Sequence, residues 1–286
     1  MNLVEFTIKK MGPKKILSDK EEFEKAVNSG KRGFEYKIPD SRFNSKIIKE
    51  NTNGSDVIHY INPKSDKIII YIHGGGYVKE SNIFQYNFVN QLAKNNYDVY
   101  FPIYPLAPTY TYKNTYEMLL ILYKQILTKN KKIILIGDSA GGGLALGFTQ
   151  YLKELEINLP HKLILISPWV DISMTNPELE KYEKIDPMLS IYGLKEIGKA
   201  WAKDLDVKDY KVSPIYGNLK NLPSTIVYTG TRELLYPDIC LLYDKLKENN
   251  VECELIIGEE MNHIYPLFPT TNAKKTREQI LEFLKD

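Results

Sequence analysis

The chain has 286 residues, enough to bury one large core, and α/β chains of this size often fold as a single domain. Its 38 basic and 36 acidic residues nearly balance, so no strong field points to nucleic acid or an anionic membrane. No apolar run approaches the ~18 residues of a membrane span, the N-terminus lacks the apolar core of a signal peptide, and Cys240 and Cys253 make no disulfide framework. The expectation is a cytoplasmic protein with no stable membrane association.

Residues 1 to about 55 are polar and mixed. Asp19 is placed to cap a short helix that carries Phe23, Ala26 and Val27 on one face and ends near Gly30. Nothing here carries chemistry, and the segment suits folding over a site made elsewhere.

Strand signals follow. Val57-Ile58-His59-Tyr60-Ile61 nearly alternates, Asn62-Pro63-Lys64-Ser65-Asp66 turns, and Lys67-Ile68-Ile69-Ile70-Tyr71-Ile72 reads as a buried strand. It ends in His73-Gly74-Gly75-Gly76-Tyr77. Consecutive glycines at a strand end let backbone amides run close to a ligand, which is what an oxyanion hole in acyl transfer needs. His73 reads as a structural residue at the base of that loop rather than as a base.

A helix is expected from Asn82 to Asn95, with Phe84, Phe88, Val89, Leu92 and Ala93 on one face. The strand Tyr97–Phe101 leads into Pro102-Ile103-Tyr104-Pro105-Leu106-Ala107-Pro108, too proline-rich for a central strand. A second helix covers about 112–128. Then Lys131–Ile136, a buried β run, breaks into Gly137-Asp138-Ser139-Ala140-Gly141 and continues with helical spacing to about Leu155. This is the strand–turn–helix setting of a nucleophile elbow, with Ser139 at the tight turn and the helix N-terminus aimed at a developing oxyanion.

After the strand at about 162–167, periodicity lapses from Pro168 to Pro214, apart from a helix expected at about 193–204. A stretch this long without regular strand or helix signals reads as a lid or inserted cap. Strand, helix, strand and helix then follow at about 225–230, 236–249, 252–257 and 272–285, so the fold class is α/β with a mainly parallel sheet.

Ser139 needs a base, and the base needs a carboxylate. Of the four histidines, His59 lies inside a strand, His161 precedes one, His73 belongs to the glycine loop, and His263 follows the last strand in a loop able to reach the elbow. The acid is Glu233, three residues past the strand ending at Gly230, or alternatively Asp238 in the first turn of the next helix. The order Ser, acid, His is that of an α/β hydrolase.

His73-Gly74-Gly75-Gly76 together with Gly137-Asp138-Ser139-Ala140-Gly141-Gly142 resembles the hormone-sensitive-lipase-like branch of the α/β-hydrolase carboxylesterases. Tyr104-Pro105-Leu106-Ala107-Pro108 is similar to the segment between those motifs in that family. Ser167-Pro168-Trp169-Val170-Asp171 and Asp186-Pro187-Met188 resemble the start of its cap. The resemblance implies an α/β-hydrolase fold, with the sheet flanked by helices. Its cap would be helical, built from about 1–55 and 168–214, over a core of about 56–167 and 215–286. It further implies Ser139 as nucleophile, His263 as base, and oxyanion donors from the amides of Gly75, Gly76 and Ala140. The family usually has Asp-Pro-Leu-x-x-Asp around its acid, where this chain has Glu233-Leu234-Leu235-Tyr236-Pro237-Asp238.

The expected activity is hydrolysis of small-molecule, short-chain esters through an acyl-Ser139 intermediate, with no metal or organic cofactor. Its rate should rise with pH through one histidine ionisation near about 6–7. The same machinery would serve an amidase or a deacetylase of small N-acyl or O-acetyl compounds, and a non-catalytic ligand-binding homologue is a further alternative. Dimers are common among such folds, which leaves a homodimer open, although no segment marks an interface.

Overall fold

In the computed structural model, which describes Glu21 and residues 47–285, the chain builds one sheet from β1 (Ile47–Thr52), β2 (Ser55–Tyr60), β3 (Lys67–Ile72), β4 (Asp98–Pro102), β5 (Lys132–Asp138), β6 (Lys162–Ile166), β7 (Ser224–Gly230) and β8 (Cys253–Gly258). The strand order is β1-β2-β4-β3-β5-β6-β7-β8. From β4 through β8 all neighbours are parallel, while β1 and β2 are antiparallel additions at one edge. The expected helix from Asp19 to near Gly30, and the cap segment before residue 47, lie outside the described residues.

The inner strands read as continuous apolar runs because both of their faces are covered. Ile68, Ile70, Leu135, Leu163 and Val227 point to one side, where α2 (Tyr112–Leu127), α3 (Ala140–Glu154) and α6 (Tyr236–Glu248) pack. Ile69, Tyr71, Ile134, Ile136, Ile164 and Tyr228 point to the other, against α1 (Ile83–Lys94) and α7 (Thr271–Phe283).

One boundary differs from the sequence expectation. Residues 47–52, read above as part of the cap, are edge strand β1 and belong to the sheet. The turn into β2 is Asn53-Gly54, with φ of 50° and 80°, which is the positive-φ pair that a two-residue hairpin turn requires. The polar sequence of β1 fits an edge that is largely solvated.

The insertion between β6 and β7 contains α4 (Leu179–Glu183) and α5 (Ile191–Ala202). Ser190 caps α5 by accepting from the Gly193 amide. Leu194, Ile197 and Trp201, at helical spacing, are buried toward the glycine loop after β3. Trp201 stacks flat on Tyr77, with ring centroids 4.1 Å apart, and Trp169 lies on Tyr77 at 5.5 Å. The insertion therefore roofs the carboxyl ends of the central strands.

Candidate active site

Four loops leave the carboxyl ends of β3, β5, β7 and β8 and converge beneath that roof. At the end of β5 the chain turns so sharply that Ser139 sits at φ 53°, in the left-handed region that costs a residue with a Cβ on the order of 1 kcal/mol or more. The strain is held from several sides: the Ser139 amide donates to the Ile166 carbonyl at 2.8 Å, and the Ser139 carbonyl accepts from Gly143 and Trp169 at 3.1 and 2.9 Å. A methyl group at Gly137 would collide with the Gly141 carbonyl, and one at Gly141 with the Ile72 carbonyl, so these two glycines are needed for the close approach of strand and helix.

Ser139 Oγ lies 2.8 Å from His263 Nε2, and His263 Nδ1 lies 2.6 Å from Glu233 Oε2. The carboxylate fixes the tautomer: Nδ1 carries the proton and donates it to Glu233, leaving Nε2 to accept from the serine hydroxyl. Glu233 is wholly buried, and its Oε1 accepts from the Gly230 amide at 3.1 Å and from the Thr229 hydroxyl. The His263 loop is locked on both sides. Arg232 donates from its amide to the Met261 carbonyl at 3.0 Å, and the Ile264 amide donates to Ser167 Oγ at 2.9 Å. Asp238, the alternative acid, is not brought to His263; its Oδ1 accepts from Asn176 Nδ2 at 2.7 Å.

Burial pulls the His263 imidazole down, but the hydrogen bond and charge of Glu233, joined by Asp186 and Asp138, outweigh it and hold the group above its ordinary value. Any activity limited by this base should therefore rise at a pH higher than the 6–7 read from an unperturbed histidine.

The glycine loop is tied to the elbow by a buried carboxylate, the variable position of the Gly-x-Ser-x-Gly motif. Asp138 accepts from Tyr71 OH at 2.5 Å, from the Gly74 amide at 2.9 Å and from Gln85 Nε2 at 2.9 Å. Burial raises its carboxyl above the usual range, and these three donors oppose the rise. Gln85 also completes the capping box of α1 by accepting from the Asn82 amide at 2.7 Å. Beyond this anchor, Gly75 and Gly76 adopt φ of 124° and 62°, which turn the loop toward Ser139. Ala140, the first residue of α3, is buried beside the serine.

His73 does not reach the serine. Its Nδ1 donates to the Gly74 carbonyl at 2.6 Å, and its ring stacks on Tyr104 at 4.4 Å. Tyr104 OH in turn donates to the His73 carbonyl at 2.7 Å. Burial drives the His73 imidazole down to about 4, so it stays neutral and shapes the loop base. His59 lies in β2 between Glu50 and Asp98, and His161 immediately precedes β6, both away from Ser139.

A cavity of about 300 Å³ opens on Ser139 and His263. Gly75 and Gly76 form one wall, and Leu189, Leu194 and Ile197 of the insertion form another. Among the described residues, no group of three His, Cys, Asp or Glu side chains is arranged to hold a metal ion.

Residues 69–267 match the profile of a family described by its alpha/beta hydrolase fold. The chain belongs to this family. This α/β hydrolase is 30% identical to an esterase of Acinetobacter venetianus over 224 residues, which span 76% of the chain and 74% of that relative. Among solved structures, a Staphylococcus aureus protein superposes with a TM-score of 0.86 at 28% identity, covering 93% of this chain and 92% of the other. An esterase of the bacterial hormone-sensitive lipase family superposes with a TM-score of 0.79 at 25% identity, covering 93% and 89%. Among the described residues, no helix of this α/β hydrolase is long and apolar enough to cross a membrane.

Two supports of the site carry little signal in the sequence. Asp138 is visible there only as the variable letter of the motif, and Asp186 only as part of an Asp-Pro-Met resemblance. Asp186 is buried in the insertion, and its Oδ2 accepts from the Leu234 amide beside Glu233 at 2.5 Å. A buried carboxylate between elements 48 residues apart has no signature in local spacing.

Proposed function

We propose that this α/β hydrolase is a serine carboxylesterase acting on short-chain acyl esters of small molecules. The observation that supports it above all others is the unbroken hydrogen-bonded line from Ser139 Oγ through His263 to Glu233 Oε2, opening on a cavity. His263 Nε2 takes the proton as Ser139 Oγ attacks the ester carbonyl. The tetrahedral oxyanion is met by the amides of Gly75, Gly76 and Ala140, and His263 returns the proton to the leaving alcohol. Water then enters, gives its proton to His263, and attacks the acyl-Ser139 carbonyl. As the intermediate collapses, that proton goes to Ser139 and the carboxylic acid leaves. Glu233 holds the tautomer and balances the imidazolium charge.

The short-chain preference is supported by the size of the cavity, at the small end of ligand sites, and by Ile197, which lies against Gly76 and closes one wall. A cytoplasmic setting belongs to the same proposal, supported by two cysteines that are free and unpaired.

The test is hydrolysis of p-nitrophenyl esters from acetyl to decanoyl by the wild type and by Ser139→Ala. Turnover should fall as the chain lengthens, and Ser139→Ala should lose at least about 10³-fold in kcat. Wild-type turnover that survives in Ser139→Ala would overturn the reading.

A further inference from the structure

Asp186 is 2% exposed and spends both of its carboxylate oxygens on backbone amides. Oδ1 accepts from Met188 at 2.5 Å and Leu189 at 3.0 Å, which fixes the turn leading into α5. Oδ2 leaves the insertion altogether and accepts from Leu234 at 2.5 Å. Leu234 directly follows Glu233. The carboxylate thus grips the main chain of the acid loop from the cap side, while Gly230 and Thr229 grip the Glu233 side chain from the core side.

We propose that Asp186 is a positioning residue for the ester-cleaving site: it seats the cap on the acid loop, fixes Glu233 through the Leu234 amide, and adds its charge to that of Glu233 in the surroundings of His263. The inference rests on the reading of Ser139, His263 and Glu233 given above. The groups whose charge bears on His263 are Glu233, Asp186 and Asp138, and each stabilises the imidazolium. Of the three, only Asp186 belongs to the cap. Seating of the cap and basicity of His263 are therefore linked through one side chain. The other cap-to-core hydrogen bond close in sequence, Asn176 to Asp238, braces the cap on α6 without touching the acid loop. It provides an internal control.

In Asp186→Asn, one amide oxygen can still serve the turn, but the other position becomes an N–H facing the N–H of Leu234, and the charge is gone. Asp186→Glu keeps the charge on a longer arm, and Asn176→Ala removes the brace to Asp238 together with a turn bond inside the cap, from the Glu178 amide to Asn176 Oδ1, leaving the acid loop's own contacts in place. In each full-length variant, the pH midpoint of the His263 imidazole is followed by NMR, with its signal assigned by its loss in His263→Ala. The pH profile of kcat/KM for p-nitrophenyl acetate and the Tm are measured alongside.

Asp186→Asn should move both the His263 midpoint and the rising limb of the profile to lower pH, because the imidazolium loses a stabilising charge. Its kcat should fall by up to about a hundredfold with KM little changed, as expected when a support of the reacting groups slips. Asp186→Glu should return the midpoint toward the wild type. Asn176→Ala should lower Tm and leave midpoint and limb in place. An unchanged midpoint and limb in Asp186→Asn, with only a lowered Tm, would reduce Asp186 to a structural brace and overturn the proposal. If Asp186→Asn does not fold, Asp186→Glu decides: with the charge kept and the grip on the Leu234 amide displaced, kcat should fall while the midpoint stays near the wild type, and an unchanged kcat beside a lowered Tm would overturn the proposal. A wild type that hydrolyses no ester would refute the esterase reading instead, and the NMR midpoints would still decide the role of Asp186.

Discussion

Glu233 reaches His263 Nδ1 from a loop position where its side chain must cross one more methylene than an aspartate would. The longer arm is held by three contacts. Oε2 meets His263, and Oε1 accepts from Gly230 and Thr229, so an otherwise rotamer-rich side chain has one place to be. Asp238, five positions on, is also buried, but it faces Asn176. The two carboxylates can be told apart kinetically. Glu233→Gln should cost roughly 10³- to 10⁴-fold in kcat, because the amide no longer holds the Nδ1-protonated tautomer, whereas Asp238→Asn should remain within about threefold of the wild type. Glu233→Asp, with the arm shortened, should lose about a hundredfold through misplacement alone. The measurement is kcat and KM on one short ester for all three variants. Comparable losses in Glu233→Gln and Asp238→Asn would assign the acid's role to both, against the hydrogen-bonding pattern.

At the scale of elements, the site was legible wherever its chemistry is local in the chain. The elbow is a strand, a tight turn and a helix in succession, and the Gly137 and Gly141 spacing announces the close packing that forbids a Cβ. His263 could be found because the other histidines fall inside or before strands or in the glycine loop. Edge strand β1 was hidden by its polar composition, although Asn53-Gly54 carried a hairpin signal. The insertion was legible as a cap but not in its contacts, because Asp186, Leu194, Ile197 and Trp201 meet partners far away in sequence and depend on how α5 lies across the sheet. On the proposed reading, that placement makes α5 the element expected to limit chain length. Leu194 is buried and lines the cavity. Leu194→Ala should extend the acyl chains accepted by a few carbons and destabilise the fold by about 2–3 kcal/mol, near the lower end of Leu-to-Ala losses, because part of the space is already open. The kcat/KM series from acetyl to decanoyl, beside a denaturant melt, checks both. An unchanged series would mean that α5 faces the leaving alcohol rather than the acyl group.

For the whole molecule, buried ionisable groups set how stability varies with acidity, and they pull in opposite directions. Burial raises the Asp238 carboxyl to about 6 from an unfolded value near 3.8, despite the Asn176 hydrogen bond, and its Oδ2 has no hydrogen-bond partner among the described residues. Between those two pH values the native state keeps a proton that the unfolded chain has released. Stability contributed by this group therefore falls as pH rises through about 4–6, and the full penalty stands above about 6. The raised carboxyls of Asp138 and Asp186 act in the same sense. His73 opposes them: burial holds it neutral down to about 4, so the unfolded chain binds the extra proton and stability rises from about pH 4 to 6.5. His263, held above its ordinary value, adds stability below about 6.5 that is lost as pH climbs through its folded value. With His73 and Asp238 displaced by similar amounts in opposite senses, their contributions offset across the acid range. Removing one should expose the other. Asp238→Asn should lie close to or below the wild type at pH 4, where the folded carboxyl is protonated and the unfolded one is about half ionised, so most of the penalty has yet to appear. It should then gain on the wild type by on the order of 2 kcal/mol by pH 7, since a carboxyl raised from 3.8 to about 6 no longer opposes folding. Urea melts of the two proteins at pH 4, 5, 6 and 7 give the difference directly. A difference that stays constant with pH would show that Asp238 ionises alike in the folded and unfolded chains, and the offset with His73 would have to be abandoned.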